Sequence, residues 1–253
     1  MEGTNNEYEA FQSFTRVGLD PEFIHLNDLR FKRIDLSEYS AIFLPGGFSA
    51  GDYIRAGVIF ARRLADTSLQ DLKRFQDEGK PIIGVCNGFQ VLTETGMLPG
   101  WGDGISREIV LAPNDSSRYE CRYTFITMEA RNPLLSHGMS LKIPYLIPVA
   151  HAEGKIRIIN PDKNLKKLED NNQILFRYST PEGSEGGYPW NPNGSISSIA
   201  AISNGDGNVI GLMPHPERLF YHYTNADRSR YGEVAVGQRF FTSIREYIVM
   251  KGF

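Results

Sequence analysis

Residues 81–90 read PIIGVCNGFQ: a short apolar run, then a cysteine between two glycines, then a stretch with helical character. A run of that length, bounded by a glycine, fits a buried strand. Gly84 and Gly88, two before and two after the thiol, remove the side chains that would collide where the chain reverses. The pattern predicts a strand, a sharp turn and a helix, with the side chain of Cys86 thrust out at the top of a sheet. A cysteine at the start of a helix also feels the partial positive charge of unpaired backbone N–H groups, which favours thiolate over thiol.

The neighbouring sequence sets this elbow in an α/β chain. EFIHL (22–26) and AIFLPGG (41–47) read as strands, Tyr53 to about Glu78 as an amphipathic helix, and PIIGV (81–85) as a further strand. Strands alternating with helices imply a parallel sheet. After Gly96 the character changes: REIVLAP, CRYTFITME, LKIPYLIPVA, QILFRYS, SISSIAAIS and NVIGLMP follow one another with turn residues between them and little helix. An amphipathic segment from Glu233 to about Met250 reads as a last helix. Without repeats or low-complexity linkers, residues 1–253 read as a single domain.

Composition removes several function classes. With 41% hydrophobic residues, 23% charged residues and a formal charge of -3, the chain is not a basic nucleic-acid binder, and its apolar runs are strand-sized. No leader-like segment precedes them, so the cytoplasm is the expected compartment and the two cysteines are expected to be reduced. There is no phosphate loop of the G-x-x-x-x-G-K-[ST] form, and GDGNVIG (205–211) sits between strands as hairpin chemistry. Cysteine and histidine show no metal-ligand spacing.

A thiol nucleophile needs a base, and the base needs an orienting carboxylate. Of the five histidines, His25 falls in an expected strand, His137 in a turn and His222 in a polar Tyr-rich stretch. His215 is different: it ends the run NVIGLM in LMPHPER, with Glu217 two residues on across Pro216. Proline stiffens that span, and residues two apart in extended backbone project to one side, so Glu217 can hold the imidazole from behind.

The elbow GVCNGFQ, the strand ending LPGGFSAGDYIRAG (44–57) and the late MPHPER together resemble the class I glutamine amidotransferases. The fuller wording, PGGFSAGDY, GVCNGFQVLTETGMLPG, VAHAEGK, YPWNPNGS and GLMPHPER, resembles the members that serve purine biosynthesis. The resemblance implies a flavodoxin-like, mostly parallel sheet with helices on both faces, joined to a strand-rich mixed second half. It implies that Cys86 attacks the side-chain amide of glutamine, that His215 protonates the departing ammonia and later activates water, and that Glu217 fixes the histidine. The backbone N–H of Asn87 and the PGG turn at Gly47 would hold the oxyanion, with Gln90 and Phe48 at the substrate. No cofactor is expected in this chain: ATP and magnesium would belong to a large synthetase subunit, accompanied by a small third subunit. Tyr and Arg favour interfaces, which makes Tyr221 and Tyr223 in RLFYHYTNADRSRY, the FSAGDYIR loop and His151 in VAHAEG candidate partner contacts. The family opens with a strand in the middle of the parallel sheet, whereas this sequence opens at MEGTNNEYEAF. In the strand order 2-1-3-4, EFIHL is then expected to lack a neighbour, and Met1 to be a doubtful start. An amidotransferase for another acceptor, a hydrolase or stress protein of related fold, and an inactive oxidant-sensing module are the alternatives.

Overall fold

The computed structural model describes residues 1–102, 108–225, 228 and 235–253. In chain order its principal elements are α1 (Glu7–Arg16), α2 (Leu26–Arg30), β1 (Ile42–Leu44), α3 (Val58–Asp77), β2 (Ile82–Val85) and α4 (Asn87–Glu94). There follow β3 (Ile109–Ala112), β4 (Glu120–Met128), β5 (Pro144–His151), β6 (Lys155–Ile158), α5 (Pro161–Asp170), β7 (Ile174–Ser179), β8 (Ile199–Ser203), β9 (Val209–Leu212) and α6 (Val236–Lys251). Seven strands form one sheet in the order β1-β2-β9-β8-β7-β4-β5, and β3 pairs with β6.

The sheet is parallel where the elbow sits and antiparallel beyond it. β2 lies between β1 and β9, parallel to both, with Ile83 opposite Phe43 on one side and Ile210 on the other. Ile82, Ile83 and Val85 have no exposed surface, as befits a parallel strand covered on both faces. Burying each such aliphatic side chain contributes about 1.5–3 kcal/mol. From β9 onward every pairing is antiparallel, which accounts for the change of sequence character after Gly96. The outer edge strand β5 curls back over the parallel end: Pro148 O accepts from the His215 N–H at 2.9 Å, and Ala150 O lies 3.6 Å from Cys86 Sγ.

Three expectations need correction. EFIHL is not a strand: residues 21–25 pair with no strand, and His25 instead caps α2, its Nδ1 accepting from the Asn27 N–H. Between that segment and β1 lies an apolar cavity of about 790 Å³, lined among others by Phe14, Ile24, Leu26, Phe43, Leu44 and Leu72. An extended segment with no backbone partner across such a gap has no ladder to join. The helix expected from Tyr53 begins only at Val58, because Gly57 takes the left-handed conformation at φ 77° and caps the helix there. From there Phe60, Ala61, Leu64, Leu72 and Phe75 supply the buried stripe of α3. The second half also holds a helix that the strand-rich reading passes over, α5, which Asn160 and Pro161 open. The expected start of the last helix at Glu233 lies outside the described residues.

Candidate active site

The elbow forms as the glycines require. Cys86 stands between β2 and α4 at φ 51°, ψ −106°, a conformation that costs on the order of 1–3 kcal/mol and persists only when its surroundings hold it. They do: the Cys86 N–H donates to Leu212 O at 2.8 Å, while its carbonyl accepts from the N–H groups of Phe89 and Gln90. A methyl group at Gly88 would lie 2.0 Å from Leu44 O, and one at Gly84 2.5 Å from Gly88 O. Both glycines are therefore needed for close approach of backbone to backbone, at the positions where the sequence places them.

His215 follows β9 and meets the elbow across the sheet top. Its Nδ1 lies 2.6 Å from Glu217 Oε1, with both side chains buried. Burial alone would push this imidazole down, but the charges of Glu217 and Cys86 outweigh it and lift the group to about 10. Nε2, the nitrogen left to face a nucleophile, has no hydrogen-bond partner. The thiol is electrostatically coupled to the ring yet directs its Sγ to Ala150 O. Of the expected chain from Cys86 through His215 to Glu217, the carboxylate half is a 2.6 Å contact, while the thiol interacts with the ring and also reaches Ala150 O at 3.6 Å.

The remaining site residues divide. Asn87 opens α4, so its N–H falls among those without an intrahelical acceptor. The glycine that abuts the reacting groups is Gly46, which the sequence reading passes over: a methyl there would lie 2.9 Å from His215 Cε1 and 3.4 Å from Cys86 Cβ. Gly47, at φ 122°, turns its bare side to residues 3–5 and bridges to Thr4. Gln90 is buried with both ends of its amide engaged, Nε2 donating to Glu153 O at 2.5 Å and Oε1 accepting from Asn87 Nδ2 at 2.9 Å. Phe48 is half-exposed, its ring 6.0 Å from that of Tyr119.

His151 is corrected as a partner contact, because only 3% of it is exposed. Asn114 turns Nδ2 to the carbonyls of Arg118 and His151, leaving Oδ1 to accept from the Gly154 N–H and from His151 Nδ1. That assignment puts the imidazole proton on Nδ1. Burial, then the nearby His215 charge, pushes the group down to about 3, so it is uncharged. Asn193 holds the other end of the same turn, donating to Gly154 O at 2.8 Å and to the Tyr178 hydroxyl. The APND, HAEG and NPNGS stretches are joined into one polar clamp beside the elbow. Tyr221 stacks on Tyr223 with centroids 5.0 Å apart and accepts from Arg16 Nε, and Tyr223 is exposed. Among the described residues no cluster of His, Cys, Asp or Glu fits a metal ion, and no helix is long and apolar enough to cross a membrane.

A strained thiol at a strand-to-helix elbow, backed by a buried His–Glu pair, is the equipment of an acyl-transfer enzyme. The family described as "CobB/CobQ-like glutamine amidotransferase domain" matches residues 1–248, and the chain belongs to it. Among its relatives, the phosphoribosylformylglycinamidine synthase subunit PurQ of Picrophilus torridus is 52% identical, over 95% of this chain and 93% of that protein. The subunit of the same name from Archaeoglobus fulgidus is 42% identical, over 98% of this chain and 94% of that protein. A solved structure, "Structure of PurLQS from Thermotoga maritima", superposes with a TM-score of 0.73 at 28% identity, covering 97% of this chain and 94% of that one.

Proposed function

We propose that this chain is the glutaminase subunit of phosphoribosylformylglycinamidine synthase. The observation that carries the reading is the meeting of Cys86 with the buried His215–Glu217 pair at the elbow, in a chain whose relatives bear that subunit's name. Cys86, giving its proton to His215, attacks the side-chain amide carbon of glutamine. The N–H groups of Asn87 and Gly47 hold the resulting oxyanion. His215 returns the proton to the departing nitrogen, which leaves as ammonia, and a γ-glutamyl thioester remains. Water, deprotonated by the same imidazole, then releases glutamate and restores the thiol. Glu217 keeps the ring oriented throughout, and Phe48 contributes an apolar wall to the substrate site.

Ammonia released into water is protonated and lost as a nucleophile, so its acceptor must be at hand. A large synthetase subunit supplies it, using ATP and magnesium to convert formylglycinamide ribonucleotide to formylglycinamidine ribonucleotide, with a small third subunit completing a cytoplasmic assembly. A glutaminase that fires without an acceptor wastes glutamine, so the subunit is expected to be weak alone and aligned by its partner. Glutaminase activity is therefore expected to rise tenfold or more when the synthetase subunit, acceptor and ATP are added. Tyr223→Ala, and more strongly the pair Tyr221→Ala and Tyr223→Ala, should remove that stimulation. Full activity of the isolated chain would refute partner alignment.

A further inference from the structure

Asp52 and Glu153 come together over the first turn of α4 from distant parts of the chain. Asp52 accepts from the Gly57 N–H, and its Oδ1 lies 3.5 Å from Asn87 Nδ2. Glu153 Oε2 accepts from the next amide back, the Ala56 N–H, at 3.2 Å, while its main-chain oxygen anchors Gln90. Both side chains are half-buried and open to solvent on one side. Burial and then the Glu153 charge raise the Asp52 carboxyl above its ordinary value, the signature of two acids that lack a cation. Arg55, the nearest basic residue in the loop, is turned to Glu94 instead. Neither carboxylate forms an ion pair among the described residues.

A second observation asks for a donor at the same place. Asn87 is fully buried, and the amide whose nitrogen reaches Asp52 carries an Oδ1 with no hydrogen-bond partner. A buried acceptor left unpaired is costly, and a ligand donor at this point would complete it. Asn87 directly follows the nucleophile. The α-nitrogen of a glutamine whose amide carbon sits on Cys86 lies four bonds, about 5 Å, further on. Two carboxylates and an orphaned amide oxygen match the three N–H groups of an α-ammonium. Gln90, with both ends of its amide engaged, is a brace for this pocket.

We propose that Asp52 and Glu153, with Asn87 Oδ1, bind the α-ammonium group of glutamine and select an α-amino acid as the amide donor. The inference rests on the glutaminase reading above. It is tested in the assembled complex with Asp52→Asn and Glu153→Gln, variants that remove charge and keep an acceptor for Gly57 and Ala56. Asparagine also tolerates the left-handed backbone at Asp52. The substrates are L-glutamine and glutaramate, which has the same carboxamide without the α-amino group. Each variant should raise KM for glutamine tenfold or more with kcat within about threefold, and leave kcat/KM for glutaramate unchanged. Equal losses on both substrates, an unchanged KM for glutamine, or weakened assembly as the only effect would each overturn it, the last by assigning the acids to a basic surface of the partner. A wild-type complex without glutaminase activity would instead overturn the reading beneath.

Discussion

Replacing Cys86 by serine is expected to lower glutamine-dependent turnover by a thousandfold or more, while ammonia-dependent synthesis by the complex continues at its wild-type rate. The size follows from the single route: all acyl chemistry passes through one sulfur, and removing the nucleophile of such a unit costs about as much as removing the whole unit. Serine keeps the elbow's shape but offers a hydroxyl that the buried His215 must deprotonate from a far higher pKa. Cys121 is the control. It is exposed on β4, where Cys121 pairs with Ala150, and Cys121→Ser should change either rate by less than about twofold, as surface substitutions away from the chemistry do. Steady-state rates with glutamine and with ammonium salts, measured on one preparation, separate a lost nucleophile from a lost fold.

Removing the base should cost nearly as much. In His215→Ala no group remains to take the thiol proton, to protonate the leaving nitrogen or to activate water, so thioester formation and hydrolysis both fail. Glu217→Gln keeps the imidazole and loses its charge and orientation, and it should retain a measurable fraction of the wild-type rate. The two variants also differ in pH dependence. His215 is lifted to about 10 chiefly by the Glu217 carboxylate acting against burial. The protonated imidazole that the leaving group needs therefore persists to high pH in the wild type, and the alkaline limb of kcat/KM should lie near 10. Without the carboxylate the imidazole binds its proton less tightly, and in Glu217→Gln the limb must move to lower pH. Equal glutaminase rates in wild type and His215→Ala, or an unmoved limb in Glu217→Gln, would refute these roles.

Much of the site was legible because its demands are local. GVCNGFQ sets an apolar strand, two small residues and a helix start within seven positions, and the steric need is written in Gly84 and Gly88. The HPE triplet likewise carries base and orienter on one stiff span. What the sequence concealed depends on distant backbone. Which glycine of PGG faces Cys86 is decided by residues 3–5, against which Gly47 packs, leaving Gly46 over the histidine. The partners of Gln90 come from Glu153 and Asn87, and the first of these is placed by Asn114 and Asn193, whose local sequences pass for turns. His151 misled because a histidine beside alanine, glutamate and glycine looks like loop surface, whereas antiparallel pairing of β5 with Glu120 on β4 draws it inside. In the fold, EFIHL has the composition of a strand, but a strand needs a hydrogen-bonded neighbour as well as β-propensity. The late start of α3 was hidden for the converse reason: Tyr53–Gly57 has helical periodicity, and the positive φ of Gly57 stops the helix from extending back through it.

The central claim, a covalent γ-glutamyl intermediate on Cys86, is tested most directly by acid-quenching the complex during steady-state turnover of glutamine and mapping adducts by peptide mass. The account predicts one γ-glutamyl group on the peptide that carries Cys86, absent in Cys86→Ser and lost when hydroxylamine is added. A turning-over complex with no adduct on that peptide, or with the adduct on the peptide that carries Cys121, would contradict it.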